Sequence, residues 1–514
     1  MTEHTAALGE LLSAARADQS GNWREVRIRG ISTDSRRVRP GDLFFGLPGV
    51  VDEGARYAED ALRKGAAAVV LPPGATLPEG GVGLRHPDPF GALALAARLF
   101  YRDPAAQLKL VGVTGTNGKT TTALLTAHLL ATSGQQVSFW TTTFVRLPSH
   151  GFRPQWTTPL AHELQRFLRA AVDQGSRTAV IEVSSHAVVQ QRIAGLAFAL
   201  GIATNFSSDH LDFHGSVEHY YQAKRSFIEG LGPGATALLN ADDPRILAMG
   251  EKASASIFTY GWASAADVGV RYVSGGGGAL TGVLEVRNKD LGGRASYPFR
   301  LPMVGRHNAL NAAAAFAAAV RFGVEPAHAA QALALFKPPP RRLERHQVGP
   351  YVIYNDVAMN EASYDAVLRT LADASLDQII VVHALRGNRG AEVNARIADI
   401  FARWDRTLRF SPLIVSESRS DLGGGDVDHE VRPAEREAFA NAADKARLPT
   451  SFHVELDAAL GEAVDRLTPG GVLLLLGTFG MDRGPAKARA MLQRRLGLRV
   501  EEGQDYLAPL EEGF

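Results

Sequence analysis

The 514-residue chain contains no cysteine, which excludes disulfides, thiolate metal sites and a cysteine nucleophile. That absence fits a reducing compartment. No stretch approaches the roughly 18 consecutive apolar residues that a membrane-crossing helix requires. The most apolar run, Leu473 to Leu476, is short and reads as a buried strand. The first residues, Met1-Thr-Glu-His-Thr5, carry an acid and lack an apolar centre, so no secretory signal is expected. An excess of either charge is also missing: Lys and Arg total 55 against 54 Asp and Glu. Nothing in that balance favours nucleic acid or an anionic membrane as partner. These absences fit a cytoplasmic protein with neither of those partners; a monomer is expected, though no residue pattern gives the oligomeric state.

What is present is ordinary globular material, 45% hydrophobic and 21% charged. The length allows roughly three domains of about 150 residues each. We place them at 1–107, 108–336 and 337–514. In the first, Ile31 to Gly49 reads as strand, turn, strand with Pro40-Gly41 at the turn, followed by a short helix at Ala55 to Lys64 and a buried strand at Ala66 to Leu71. In the second, buried-strand runs at Ala179 to Val183, Leu200 to Thr204 and Ala237 to Asn240 alternate with helical patterns such as Leu160 to Asp173. That alternation predicts a doubly wound, mostly parallel sheet. Gly275 to Gly278 reads as a hairpin tip. Lys337-Pro-Pro-Pro340 stiffens the chain at a boundary. Beyond it, strands near Val352 to Tyr354, Gln378 to His383, Leu413 to Ser416 and Gly471 to Leu476 predict a Rossmann-like α/β unit.

The richest segment is Val111-Gly-Val-Thr-Gly-Thr-Asn-Gly-Lys-Thr-Thr-Thr122. An apolar strand breaks into a glycine-rich turn and a helix follows. This is the pattern of a phosphate-binding loop. Backbone N–H groups and the helix N-terminus face the anion, Lys119 reaches the outer phosphates, and the Thr120 hydroxyl suits Mg²⁺. Gly115, Thr116, Asn117, Gly118, Lys119, Thr120 and Thr121 are therefore the expected nucleotide-binding residues, with ATP as the expected nucleotide. Val113 stands where the general pattern has its first glycine.

Two further clusters follow buried strands, where sheets of this kind bind ligands. Ile181-Glu-Val-Ser-Ser-His186 offers Glu182 as a Mg²⁺ ligand or as a strand-end cap. Thr204-Asn-Phe-Ser-Ser-Asp-His-Leu-Asp-Phe-His214 gathers Asp209, His210, Asp212 and His214. That spacing matches no zinc signature; it suits metal or phosphate handling, or a capped polar surface loop. Lys224 sits in a helical pattern, Tyr220-Tyr-Gln-Ala-Lys-Arg-Ser-Phe227, where a lysine ordinarily faces solvent. Ser32-Thr-Asp-Ser-Arg-Arg37 reads locally as a polar turn.

In order along the chain stand Thr33-Asp-Ser-Arg36, Gly41-Asp-Leu-Phe44, Gly115-Thr-Asn-Gly-Lys-Thr120, Thr157-Thr-Pro159, Glu182-Val-Ser-Ser-His186, Asp209-His-Leu-Asp212, Lys224, Asn240-Ala-Asp-Asp-Pro244 and Gly305-Arg-His-Asn-Ala-Leu-Asn311. Together these resemble the Mur ligase family, most closely its MurE type, over the first two-thirds of the chain. The resemblance implies that ATP activates a substrate carboxylate as an acyl phosphate, which an amine then attacks. It implies UDP-N-acetylmuramoyl-L-Ala-D-Glu as donor and an amino acid or amine as acceptor. By the same resemblance, Lys119, Glu182, His210 and Lys224 are the catalytic residues. Thr120, Glu182, His210 and a carbamylated Lys224 would hold Mg²⁺. Ser35, Thr157, Thr158, Ser184, Gln190 and Arg192 would contact the UDP-sugar peptide, and Asn308, Arg342 and Asp356 the nucleotide.

The last third departs from the family. Its Asp-Tyr-Ala-His-x-Pro string reads Asp356-Val-Ala-Met-Asn-Glu361 here, and Gly-Asp-Arg-Asp reads Gly387-Asn-Arg-Gly390. Ser416-Glu-Ser-Arg-Ser-Asp421 stands where Asp-Asn-Pro-Arg selects diaminopimelate, and Gly477-Thr-Phe-Gly-Met-Asp482 replaces the terminal Gly-Lys-Gly-His-Glu. These losses predict an acceptor other than diaminopimelate, with lysine or ornithine as alternatives whose ammonium Glu361, Glu417, Asp421 or Asp482 would receive. Two other readings remain at this level: a relative joining a different carboxylate and amine outside wall synthesis, and a nucleotide-binding protein without ligase turnover.

Overall fold

In the computed structural model, described for residues 5–12, 23–49, 53–276, 278–374, 376–410, 412–422 and 429–499, three larger sheets follow one another along the chain, after a two-stranded ribbon of Ala6–Ala7 and Arg27–Ile28. The expectations drawn on the first four residues and on Gly277 lie outside the described residues. The first sheet is β1 (Gly30–Ser32), β2 (Asp42–Phe45), β3 (Ala68–Leu71) and β4 (Gly83–Arg85), in that order. All its pairings are parallel. The strands around Pro40-Gly41 are therefore no hairpin; a 3-10 turn, Ser35–Arg37, carries the chain between them. Helix α1 (Pro89–Phe100), N-capped by Asp88, packs alanines and leucines against this sheet.

The central sheet has eleven strands. They are β5 (Lys109–Thr114), β6 (Val137–Trp140), β7 (Val145–Arg146), β8 (Gly151–Phe152), β9 (Thr178–Glu182), β10 (Phe198–Ala203), β11 (Thr236–Asn240), β12 (Ser256–Gly261), β13 (Val268–Gly276), β14 (Ala279–Val286) and β15 (Ala295–Leu301). Their spatial order is β8-β7-β6-β9-β5-β10-β11-β12-β13-β14-β15. The seven strands from β6 to β13 pair in parallel, and both margins are antiparallel. β5 lies between β9 and β10, and connections diverge to either side of it. Such a switch point opens a crevice at the carboxyl ends of the strands. Helix α2 (Lys119–Thr132) starts in that crevice directly after β5. Helices α3 (Ala161–Asp173) and α4 (Ser185–Val189) flank β9, and α5 (Val217–Glu229) follows β10. Helix α6 (Arg306–Arg321) lies against α2 through a stripe of fully buried alanines from Ala312 to Ala319. Small side chains there let two backbones approach closely.

Gly112, mid-strand in β5, has the same logic. A Cβ there would stand 2.4 Å from Phe227 and 2.9 Å from Phe198, so only hydrogen fits. The third sheet runs β16 (Glu344–Val348), β17 (Tyr351–Asp356), β18 (Ile379–Ala384), β19 (Leu413–Ser416), β20 (Thr450–His453) and β21 (Val472–Leu476), ordered β16-β17-β21-β18-β19-β20. Only the β16–β17 pair is antiparallel. Helices α7 (Glu361–Ala372), α8 (Ala391–Leu408) and α9 (Pro433–Lys445) cover one face. No helix of the described residues is long and apolar enough to cross a membrane.

Burial keeps several histidines uncharged. It pushes His162, His186 and His383 down to about 3, and His210 and His307 down to about 4. Their unfolded value is near 6.5, so unfolding takes up protons below that pH. Stability from these groups is complete above about pH 6.5 and is lost as pH falls toward 4. The urea midpoint at pH 5 should lie well below that at pH 7; equal midpoints would show that these rings titrate freely. Gly112→Ala should cost about 1–3 kcal/mol in the same assay.

Candidate functional site

The loop between β5 and α2 is held from outside by the segment after β10. Gly115 lies at φ +133°, and a Cβ there would stand 1.9 Å from the Thr204 hydroxyl. Thr204 Oγ1 and Asn205 Nδ2 donate to the Asn117 carbonyl at 2.7 and 2.9 Å. The Asn117 amide donates to Asn205 Oδ1 at 3.0 Å, and Thr116 Oγ1 to the Ser207 carbonyl at 3.0 Å. Gly118, at φ +84°, precedes the helix, whose first residues are Lys119, Thr120 and Thr121. These bonds fix the backbone N–H groups of the loop in the arrangement that receives phosphate.

Two ammonium groups meet at this loop. Lys119 Nζ donates to the carbonyls of Gly115 and Thr116 at 3.1 and 2.9 Å, and Lys224 Nζ donates to the same Gly115 carbonyl at 2.7 Å. Lys224 lies on α5 at 1% exposure, above the Tyr220 ring at 4.5 Å. The solvent-facing reading of a helical lysine therefore fails here: α5 turns this position onto β5 and the loop. Burial, reinforced by Lys119, drives the Lys224 amine well below the ordinary lysine value. Burial lowers Lys119 too, with Glu182 and Asp209 pulling the other way.

Glu182 ends β9 fully buried. The Thr142 amide donates to its Oε1 at 2.7 Å and the Thr142 hydroxyl to its Oε2 at 3.0 Å. Thr142 follows β6 at the same sheet end and joins Glu182 to Thr157, 3.0 Å away. The only sequence signal for Thr142 is its place in the Thr141-Thr-Thr143 run after a strand. Thr158 donates to the Glu182 carbonyl at 2.6 Å and accepts from the Ser184 amide at 3.1 Å; Ser184 caps α4. Arg192 Nη1 donates to the Thr158 carbonyl at 2.5 Å, and Gln190 Oε1 accepts from Arg192 Nε at 3.0 Å. Thr157, Thr158, Ser184, Gln190 and Arg192 thus form one connected patch beside Glu182. Ser35 lies apart in the first unit, in a turn whose carbonyl accepts from Lys64 Nζ at 3.1 Å.

His210 stands at φ +52° beside His186, with ring centres 4.9 Å apart, while His214 bonds Ser185 Oγ at 2.9 Å. Held near 4 chiefly by burial, His210 is a neutral imidazole at ordinary pH and able to act as a ligand. No group of three His, Cys, Asp or Glu side chains suited to a metal occurs among the described residues. A metal here has to draw also on hydroxyl oxygen or a modified lysine.

The third unit reaches this crevice through a few polar bonds. Asn360, the N-cap of α7, exchanges hydrogen bonds with Asn117 at 3.0 and 3.1 Å and donates to Asp209 Oδ2 at 2.9 Å. Arg389 donates to Asp209 Oδ1 at 3.2 Å. Arg342 Nη2 reaches Thr120 Oγ1 at 3.5 Å. Asp356 ends β17, accepts from the Leu343 amide at 2.7 Å and is pushed up to about 6 by burial against the pull of Arg342. Asn308 is buried with its amide used locally, donating to the Val304 carbonyl at 2.7 Å and accepting from Asn311 at 3.0 Å. Both bonds lie within the first turns of α6 and the residues just before it.

The carboxylates expected to receive an acceptor ammonium are already paired. Glu361 binds Arg396, Glu417 binds Arg419 and Arg436, Asp421 binds Lys487, and Asp482 binds Arg341. Each of the four has a cation of this chain within reach, and Asp421 Oδ1 is buried without a hydrogen-bond partner.

Two family models match this sequence, the Mur ligase middle domain over residues 113–319 and the "Mur ligase family, catalytic domain" over 27–101. A UDP-N-acetylmuramoyl-L-alanyl-D-glutamate--2,6-diaminopimelate ligase of Geobacter metallireducens is 32% identical over 485 residues, covering 91% of this chain and 93% of that protein. The enzyme of the same name from Synechococcus elongatus is 32% identical over 467 residues, covering 88% and 89%. Among solved structures, MurF from Acinetobacter baumannii superposes with a TM-score of 0.70 at 19% identity, over 95% of this chain and all of that one, a likeness of fold.

The bonds of Asn360 and Arg389 to the central unit predict a measurable effect. In the double variant Asn360→Ser, Arg389→Ala, serine preserves the helix cap while both bridges to Asp209 are lost. The radius of gyration from small-angle X-ray scattering should rise; an unchanged radius would show that other contacts hold the units together.

Proposed function

This chain belongs to the Mur ligase family of ATP-dependent, amide-bond-forming ligases of peptidoglycan precursor synthesis, and we propose that its donor is UDP-N-acetylmuramoyl-L-Ala-D-Glu. The observation that carries the reading is the joined patch of Glu182, Thr157, Thr158, Ser184 and Arg192 beside a loop whose Gly115 carbonyl accepts from two lysines. It sets a carboxylate-recognising arginine next to a polyphosphate-recognising turn. Ser35, Gln190 and Arg192 are assigned to the UDP-sugar peptide; Asn117, Arg342 and Asp356 are assigned to the nucleotide.

In the reaction the donor carboxylate oxygen attacks the γ-phosphorus and ADP leaves. The amine nitrogen then attacks the acyl carbon, phosphate leaves, and the nitrogen gives up a proton. Lys119 and the loop amides hold the transferring phosphoryl group and oppose the charge it develops. The donor set fits a hard cation: Thr120 and Glu182 present oxygen, and His210 a neutral nitrogen. Mg²⁺ would neutralise phosphate charge there when bound. Lys224 is the residue suited to carbamylation, because burial favours its neutral amine; that amine adds carbon dioxide, releases a proton and becomes an anionic oxygen donor.

Lost motifs in the third unit argued against diaminopimelate, yet the relatives aligning over nine-tenths of this chain are named for it. Its exclusion has no support from them, and it belongs in the test. ADP release should be measured with ATP, Mg²⁺ and UDP-N-acetylmuramoyl-L-Ala-D-Glu across a panel of amino acids including diaminopimelate, lysine and ornithine, with product masses. Turnover with a product heavier by one acceptor residue is expected. Failure of the UDP-sugar to bind would move the enzyme to another carboxylate. Lys119→Ala should abolish turnover. Lys224→Ala should do the same and recover partly with added short-chain carboxylate; undiminished activity in either variant would overturn its assignment.

A further inference from the structure

Arg192 is carried by the turn that closes α4. The helix ends at Val189, after which the Gln191 amide donates to the Val188 carbonyl at 3.1 Å and the Arg192 amide to the Ala187 carbonyl at 2.8 Å. This pair of bonds closes a helix on one residue in the left-handed conformation, a place ordinarily filled by glycine. Here it is Gln191, at φ +50°. Its side chain crosses to the first unit. Nε2 donates to both carboxylate oxygens of Asp88, to Oδ1 at 2.9 Å and to Oδ2 at 2.8 Å. Asp88 is also the N-cap of α1, accepting from the Gly91 amide at 3.0 Å. Gln191 lies close over that first turn: a Cβ on Gly91 would stand 3.0 Å from Gln191 Oε1. Farther along, a Cβ on Gly195 would stand 3.3 Å from Nη1 of Arg98 on the same helix, and Ala194 packs on the core of the first unit. Residues on both sides of Arg192 therefore rest on α1.

A side chain kept where the backbone favours glycine points to a use for it. The donor reading supplies one, and this inference rests on that reading. Ser35 stands in the first unit, while Arg192 belongs to the patch beside Glu182 in the central unit. A ligand held at both has two contacts whose separation must match its own length. When that separation is fixed in advance, the second contact forms at little further entropic cost; when it is loose, the gain is lost. We propose that Gln191 is a positioning residue for the donor: through Asp88 it fixes Arg192 at a set distance from the first unit. The ligand class served is a nucleotide-linked sugar with an acyl arm that ends in a carboxylate.

Binding to the full-length protein is measured by calorimetry for three ligands. They are UDP-N-acetylmuramoyl-L-Ala-D-Glu, UDP-N-acetylglucosamine (nucleotide and sugar without the carboxylate arm) and ATP. The proteins are the parent, Gln191→Gly, Gln191→Glu and the double variant Asp88→Asn, Gln191→Glu. Glycine suits the helix end and removes only the bridge. Glutamate sets two carboxylates face to face. The double variant restores a hydrogen-bond donor opposite an acceptor, and asparagine still caps α1. Both single substitutions should weaken the dipeptide ligand about fivefold to a hundredfold. UDP-N-acetylglucosamine and ATP should stay within twofold, and the double variant should recover most of the loss. Dipeptide affinity unmoved by either single substitution, an equal loss for UDP-N-acetylglucosamine, or no recovery in the double variant would overturn the proposal and leave the donor assignment standing. A parent protein that binds the dipeptide ligand no tighter than UDP-N-acetylglucosamine would overturn the donor assignment, and the proposal with it.

Discussion

One carbonyl oxygen, that of Gly115, accepts from two lysines that arrive from different helices. Much else in the central unit serves that meeting. The carbonyl points where it does because Gly115 takes a backbone conformation closed to other residues and presses on Thr204. Thr204 and Asn205 hold the loop from the neighbouring strand, so the switch point of the sheet becomes a rigid cradle. Two like charges in a partly dry pocket repel, and burial depresses both amines. An anion relieves that repulsion. The pocket thereby favours an anion, and the loss of one proton from Lys224 is favoured by the same physics.

Glu182 answers this positive centre from β9, but it is a second kind of device. Its oxygens are oriented by Thr142, which ties it to Thr157 and through Thr158 to Arg192. The arginine and the carboxylate are thus joined through the Thr157-Thr158 backbone, with Thr142 hydrogen-bonded to Thr157 and to the carboxylate. The third sheet touches the cradle at Asn117 and Asp209 through Asn360 and Arg389. Few and polar, these are contacts that a closing domain makes and breaks at low cost.

The strands were legible because they are unbroken apolar runs, and the phosphate loop because its glycines, lysine and threonine have no other common use. Lys224 is a different case. Its helix shows only a mixed pattern, and its burial is decided by contact with a loop 109 residues away. Resemblance identified it; local chemistry would have put it in water. Thr142 and Asn360 were not read from sequence at all. Each acts through a partner distant along the chain, up to 243 residues for Asn360 and Asn117. The four acidic residues of the third unit show the converse: their charge was visible in the sequence, and the arginines and lysine paired with them were not.

Pairing of this kind also separates what a family model sees from what it does not. The family models match residues 27–101 and 113–319, which hold the phosphate-type loop, the metal-suited donors and the patch from Thr157 to Arg192. In the last third, arginine and lysine stand within ion-pair distance of Glu361, Glu417, Asp421 and Asp482. The charge of that surface is therefore set by pairs that form on folding, between residues up to 141 positions apart as in Arg341 and Asp482, and not by its acidic residues alone.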